Sequence, residues 1–222
     1  MRQVIGQILP FAVGAAISPF PIIAMVLMLV TTRARANGAS FLVGWILGLA
    51  AIGVIVLTVA SGVDASSSDA SDSVNWTKFG LGVLLVVVAL RQWRKRPIGD
   101  EQPVMPKWMG SVESFTPVKA FGAGIVLSAV NPKNLLLSVG AATIIAQSGL
   151  PGNDQAIAYA VFALIATIGV MVPFVIYFAL GDRAPAKLAE LKTWMAFHNA
   201  AIMAVICLVI GMKLIGDAIG GF

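Results

Sequence analysis

Charged residues are scarce in this chain, and their scarcity excludes an ordinary water-soluble domain. Lys, Arg, Asp and Glu make up 11% of the 222 residues, whereas 59% of the residues are hydrophobic. Soluble globular domains carry roughly 25% charged residues. So few charges cannot cover a surface that faces water, and we therefore predict a polytopic membrane protein with one membrane domain.

Several chemistries are excluded by other absences. Cys207 and His198 are the only residues of their types, so neither a disulfide framework nor a Cys/His metal cluster is available. All ten Asp and Glu residues lie in loops or at the ends of apolar segments, which leaves no place for a carboxylate proton relay. The sequence has no phosphate-binding loop and no nucleophile–base motif. We expect no enzymatic activity, no cofactor, no metal and no nucleic-acid partner.

Long apolar runs make up most of the sequence. A helix needs about 20 predominantly apolar residues to cross a membrane. Six runs approach or exceed that length, and they predict an all-α integral membrane protein with six transmembrane helices. The runs cover residues 4–30, 39–61, 76–90, 120–147, 155–180 and 195–216.

Basic residues are confined to alternate loops, and this pattern predicts the orientation. The first, third and fifth loops hold eleven of the 15 Lys and Arg residues, and the second and fourth loops hold none. By the positive-inside rule, the basic loops are cytoplasmic and both termini lie outside the plasma membrane. Residues 92–119 form a basic linker between two halves, 1–91 and 120–222. The Ser-rich second loop is flexible by composition.

Two local features each have two interpretations. Gly44 and Gly48 are four positions apart, a spacing that lets two helices approach closely. The close contact is either inside the bundle or in a homodimer. A basic cluster at the start of the third loop either binds anionic lipid headgroups or only sets the topology. The members of this cluster are Arg91, Arg94, Lys95 and Arg96.

The first and fourth segments carry matching helix breakers. Ser18-Pro19-Phe20-Pro21 interrupts the first, and Asn131-Pro132-Lys133-Asn134 interrupts the fourth, with Pro132 lying 113 positions after Pro19. Three segments follow the pattern in each half, and because three is odd, the halves enter the membrane in opposite directions. The pattern predicts two inverted three-helix repeats, an architecture common among secondary transporters. Helices one and four are expected to break at midplane prolines.

Broken helices at this depth indicate a binding site. A proline removes one backbone donor and frees carbonyl groups, which membrane proteins tolerate where the backbone is buried or lines a wet cavity. A charge near the bilayer centre costs at least about 2.5–3.5 kcal/mol, so Lys133 is the strongest functional candidate. The alternatives are that Lys133 reaches toward an interface and that the asparagines only cap helix ends. The predicted substrate-binding residues are Ser18, Pro19, Pro21, Asn131, Pro132, Lys133 and Asn134.

Four stretches carry a resemblance to a known family: "ISPFPIIAMVLML", "RANGASFLVGWILGLA", "VNPKNLLLSVGAA" and "FHNAAIMAVICLVIGMKLIGD". In this order they resemble the peptidoglycolipid-addressing, or sulfolipid-addressing, proteins of the lysine-exporter (LysE) superfamily. The resemblance implies a six-helix plasma-membrane protein that helps to move glycolipids or similar envelope lipids to the outer surface. It also implies partners, namely membrane lipids and a lipid synthase or a larger lipid exporter.

Two alternative functions stay open at this stage. Amino-acid exporters of the wider superfamily have a similar Pro-x-Pro motif, commonly with glycine where this chain has Phe20. The bulk of Phe20 favours an amphiphilic cargo over a small amino acid or metabolite. The second alternative is a membrane scaffold that recruits an envelope-lipid synthase through the basic loop and the Gly44–Gly48 face.

Overall fold

Helices account for almost all of the regular structure. The computed structural model describes residues 1–61, 68–97 and 115–221, and no strand occurs within them. The prediction of an all-α fold is confirmed. The helices are α1 (Arg2–Ala16), α2 (Pro19–Leu29), α3 (Ala34–Ser61), α4 (Ser68–Arg94), α5 (Pro117–Ile125), α6 (Pro132–Ala146), α7 (Gly152–Leu180) and α8 (Ala184–Ile219).

The outer surface of the bundle is apolar. Ala34–Val59 and Gly152–Ile219 are each long and apolar enough to cross a membrane, and two bent helix pairs raise the number of candidate spans to four. Large aliphatic side chains lie on the outward faces: Val59 of α3 is 65% exposed and Leu164 of α7 is 70% exposed. Contiguous apolar surface of this kind marks a membrane-facing region. The long apolar helices and the apolar outer surface are those of a membrane protein.

Both predicted helix breaks are present. The axis bends by 46° between α1 and α2, and by 59° between the segment Pro117–Val130 and α6. Pro19 and Pro132 are the first residues of α2 and α6, where the missing N–H removes no helical hydrogen bond. Pro10 and Pro173, by contrast, lie inside continuous helices. The breaks therefore depend on the residue before each proline, since Ser18 and Asn131 have extended backbone angles and occupy N-cap positions.

The fifth predicted loop is mostly helical, so the prediction of a loop there is wrong. One short 3-10 turn, Gly181–Arg183, connects α7 to α8, and α8 begins at Ala184 rather than at residue 195. The Ala, Leu, Lys and Glu residues at its start are strong helix formers, and Lys187 pairs with Glu190 one turn later. The charged residues of this stretch therefore lie within the helix and do not interrupt it.

The loop predictions are tested only at their edges. Helix α4 begins at Ser68, so part of the Ser-rich stretch is helical, and α4 continues to Arg94 inside the predicted linker. Residues 62–67 and 98–114, which contain the rest of both loops, lie outside the described residues. The division into halves at 92–119 stays a prediction.

Close helix crossings hold the bundle together. On α3, Gly44 and Gly48 lie against α5 and the segment after it, and a Cβ at Gly44 would meet the Phe121 carbonyl oxygen. On the facing helix, a Cβ at Gly124 would lie 2.7 Å from the Trp45 backbone nitrogen. The small-residue face is thus filled by the chain's own α5, which favours packing inside the bundle over a homodimer. Helix α1 packs on α7, and α4 packs along α8.

The two ends of the bundle carry different side chains. At one end, Asn75 Nδ2 donates to the Gly221 carbonyl (2.6 Å), and both chain termini lie there; we name it the terminal end. At the other end, Asn37 Nδ2 donates to the Phe115 carbonyl (2.9 Å), which joins the starts of α3 and α5. Arg33, Arg35 and Lys119 belong to that second end, which we name the basic end.

Candidate functional site

The second helix break is built around one missing hydrogen bond. Residues Val126–Val130 form a π-helical turn, in which the Asn131 N–H donates to the Val126 carbonyl, five residues back (2.9 Å). In the same register the next residue would donate to the Leu127 carbonyl, but Pro132 has no N–H. The side-chain Nδ2 of Asn134 donates to this carbonyl instead, at 2.9 Å. Asn134 therefore repairs the gap that Pro132 makes.

Asn131 caps the helix that follows the break. Its side-chain Oδ1 accepts a hydrogen bond from the backbone N–H of Lys133 at 3.1 Å. This bond satisfies one of the free donors at the start of α6. Both asparagines thus have structural hydrogen bonds, as the capping alternative supposes. Asn134 Oδ1 nevertheless has no partner among the described residues, although it is buried.

Lys133 is buried without a counter-ion. Its side chain is 2% exposed, and within the described part of the chain its Nζ has neither a hydrogen-bond partner nor a carboxylate neighbour. The side chain therefore does not reach toward an interface, and that alternative is wrong for this conformation. A buried charge without a partner of opposite charge is strongly destabilising. The amino group of Lys133 therefore lies inside an apolar bundle with its hydrogen-bond donors unused.

The first break is packed more tightly than the second. Ser18, Pro19 and Pro21 are buried, and the Ser18 hydroxyl makes no capping hydrogen bond. Gly169 of α7 lies directly against the break, since a Cβ there would meet the Ala16 carbonyl oxygen. Phe20 is the partly exposed member of this motif. The first break therefore contributes an aromatic side chain to the site, and no polar group.

One cavity joins the two breaks. It has a volume of about 350 Å³ and receives Phe20 from the first break and Asn131, Pro132 and Lys133 from the second. Of the seven predicted residues, these last three line the cavity, whereas Ser18, Pro19, Pro21 and Asn134 do not. Sequence reasoning missed the remaining lining residues, which belong to the π-helical turn, α4 and α8: Val88, Gln92, Val126, Leu127, Val130 and Met203.

The cavity is mainly apolar and opens at the side of the bundle. Val126 and Val130 at its rim are 51% and 61% exposed, and Pro132 is also exposed. The rim belongs to the same aliphatic surface that surrounds the bundle. Lys133 lies at the inner wall, so the cavity pairs a buried cation with an apolar lateral mouth. An amphiphile with an anionic headgroup has matching chemistry.

His198 lies outside this cavity. Its ring stacks on Trp194 with the centroids 4.6 Å apart, and its Nδ1 lies 2.8 Å from the Trp194 carbonyl oxygen. Both side chains line a wide depression of about 670 Å³ on the surface of α8 alone. This position, outside the cavity and stacked on a tryptophan, favours an interfacial anchor over a ligand-binding role for His198.

Replacing Asn134 with leucine is expected to destabilise the protein by about 1–3 kcal/mol, because the Leu127 carbonyl then stays buried and unpaired. Asn131→Ala removes only a cap and should cost about 1 kcal/mol. Thermal unfolding of the purified variants in detergent measures both changes. Asn153→Leu, at an exposed position in the first turn of α7, is the control. A melting temperature of Asn134→Leu equal to that of the unaltered protein would contradict the repair role.

Fold and site together define a helical membrane protein with a cavity between two broken helices. The chain belongs to the family described as Sap, sulfolipid-1-addressing protein, whose model matches residues 8–220. This confirms the resemblance found in the sequence at the level of that family. No curated protein and no solved structure matches the chain.

Proposed function

We propose that the protein is a plasma-membrane exporter that helps to move glycolipids or related envelope lipids to the outer surface. The observation that carries the proposal is the unpaired, buried Lys133 at the inner wall of an apolar cavity with a lateral mouth. An anionic sulfate, carboxylate or phosphate group would bind Lys133, while acyl chains extend past Val126 and Val130. The role needs no bond-making chemistry, in keeping with the expected lack of enzymatic activity.

We further propose six membrane spans in two inverted repeats. A shift of 113 positions places α1 on α5 and its π-helical turn, α2 on α6, and α3 on α7. Helix packing follows the same relation, because α3 of the first half contacts α5 of the second, and α7 of the second half contacts α1 of the first. Rocking of one repeat against the other would expose the cavity alternately on the two sides.

Reconstitution into vesicles tests the transport proposal. A fluorescent, short-chain anionic glycolipid is placed in one leaflet, and its appearance in the other leaflet is followed with a membrane-impermeant quencher. We expect movement to be faster than in empty vesicles, and faster than for an uncharged glycolipid of the same chain length. Equal rates with and without protein would contradict transport. Efflux of a radiolabelled amino acid without lipid movement would favour the small-metabolite exporter.

The structure gives less support to the alternatives. The small-metabolite exporter calls for a closed, water-lined cavity, whereas this cavity is mainly apolar and open at the side. The scaffold alternative uses the Gly44–Gly48 face, which α5 already covers. A cell-based assay separates scaffolding from transport: a deletion strain receives the double variant Asn131→Ala, Lys133→Met. Restored lipid display would favour scaffolding.

A further inference from the structure

A second cavity lies at the terminal end of the bundle, away from the helix breaks. Its volume is about 560 Å³, and the ends of four helices, α1, α4, α6 and α8, form its walls. We name it the terminal cavity. Unlike the cavity at the breaks, it is lined mainly by polar groups, among them Gln3, Gln7, Lys78, Gln147, Ser148 and Asp217.

Among the residues that the structure describes, the terminal cavity has one cation without a carboxylate partner, Lys78. Asp217 is already paired, since its Oδ2 lies 2.5 Å from Lys213 Nζ, one turn earlier on α8. Lys78 pairs with no carboxylate in the part of the chain that the structure describes. The amides of Gln3, Gln7 and Gln147 have no protein partner there either, so each has a free donor and a free acceptor.

Both cavities lie along one face of α8. Met203 lines the cavity at the breaks, Cys207 lies near Lys133, and Asp217 lines the terminal cavity. Ile210 continues the same helical face between them. A single route past Lys133 would therefore connect the two cavities along this helix.

An apolar seal closes that route in this conformation. Phe11, Leu137, Ile206 and Ile210 are buried, and each lies along the chain between residues that line the two cavities. They meet around glycines: a Cβ at Gly14 would lie 2.9 Å from the side chains of Ile206 and Ile210, and a Cβ at Gly140 would lie 2.7 Å from the Phe11 ring. Lys213 Nζ lies 5.9 Å from the centre of the Phe11 ring, on the side of the terminal cavity.

We propose that the terminal cavity is a release-side binding site for an anionic, hydroxylated headgroup. Free amides that both donate and accept are suited to sugar hydroxyls, and Lys78 is suited to a phosphate or sulfate ester. The headgroup reaches this site from Lys133 when the seal opens, while the acyl chains stay on the apolar outer surface. The inference rests on the proposed function and names the class of headgroup that is exported.

Protection of an engineered cysteine tests the site. Cys207→Ala removes the only native thiol, and Gln147→Cys then places one thiol in the terminal cavity of the purified full chain. A charged, membrane-impermeant maleimide labels this thiol, and the labelling rate is measured with glucose 6-phosphate, glucose or inorganic phosphate. We expect glucose 6-phosphate to slow labelling severalfold more than the other two compounds do. Adding Lys78→Gln should remove this difference.

Asn153→Cys in the same Cys207→Ala background is the matched control, because it is exposed at the same end but does not line the cavity. Absence of protection, equal protection at Asn153→Cys, or equal protection by inorganic phosphate or glucose would each overturn the headgroup site. The assay needs no transport. Lipid movement without protection therefore rejects this site alone, and protection without lipid movement rejects the proposed function alone.

Discussion

Replacing Lys133 with methionine is expected to slow lipid export about tenfold to a hundredfold and, at the same time, to stabilise the protein. A hydrogen bond between charged groups contributes about 1.5–3 kcal/mol, and each 1.4 kcal/mol changes a rate about tenfold. Methionine keeps the length and the apolar part of the side chain but removes an unpaired buried charge. We expect the stability of the empty protein to rise by about 2 kcal/mol.

The opposite signs of the two effects separate function from folding. A substitution that merely damaged the fold would lower both the export rate and the melting temperature. Lys187→Met is the matched control, because that lysine is 59% exposed near the start of α8 and forms only a surface ion pair. Both quantities should be unchanged in the control. Undiminished export by folded Lys133→Met protein would remove the lysine from the mechanism.

Replacing Gly44 with alanine is expected to prevent stable folding or to lower stability by about 3 kcal/mol. The added Cβ would meet the carbonyl oxygen of Phe121, which belongs to a backbone and cannot turn aside as a side chain can. Helices α3 and α5 would have to separate, and Ser128, which lies against Gly48, would move with them. Size-exclusion chromatography and thermal unfolding in detergent measure the loss.

Gly122→Ala is the control for this crossing. Gly122 also lies on α5, but a Cβ there would meet nothing within 4 Å. Alanine is favoured over glycine in a helix by about 1 kcal/mol, so this variant should be as stable as the unaltered protein or slightly more stable. If Gly44→Ala melted at the same temperature as Gly122→Ala, the helix crossing would have room for a methyl group, and this prediction would be wrong.

Helix breaks were predictable because they depend on local chemistry. Ser18-Pro19 and Asn131-Pro132 each pair a residue that favours an N-cap with a proline, and both helices restart at the proline. The start of α8 was not predictable from hydropathy, which detects the apolar segment and not the helix. Residues 184–194, which include two lysines and one glutamate, belong to the same helix.

Part of the site could not be found in the sequence. Gln92 and Met203 lie on α4 and α8, far along the chain from either break, and no local pattern distinguishes them from other helical residues. Conversely, Ser18 and Pro21 belong to the recognisable motif but are packed away from the cavity. Which member of a motif lines a cavity depends on the neighbouring helix, as with Gly169 of α7 at the first break.

The sequence by itself determined the helical membrane class and the two helix breaks, and it predicted a role for Lys133, because hydropathy, proline stereochemistry and the cost of a buried charge are properties of a few adjacent residues. Only the tertiary structure decided that Asn134 repairs the second break, that Phe20 and not Pro19 lines the cavity, and that α5 covers the Gly44–Gly48 face. The last two outcomes depend on which helices pack together, and that packing brings residues as far apart in the chain as Phe20 and Lys133 to one cavity. The first depends on the π-helical turn before Pro132, which no local sequence pattern indicates.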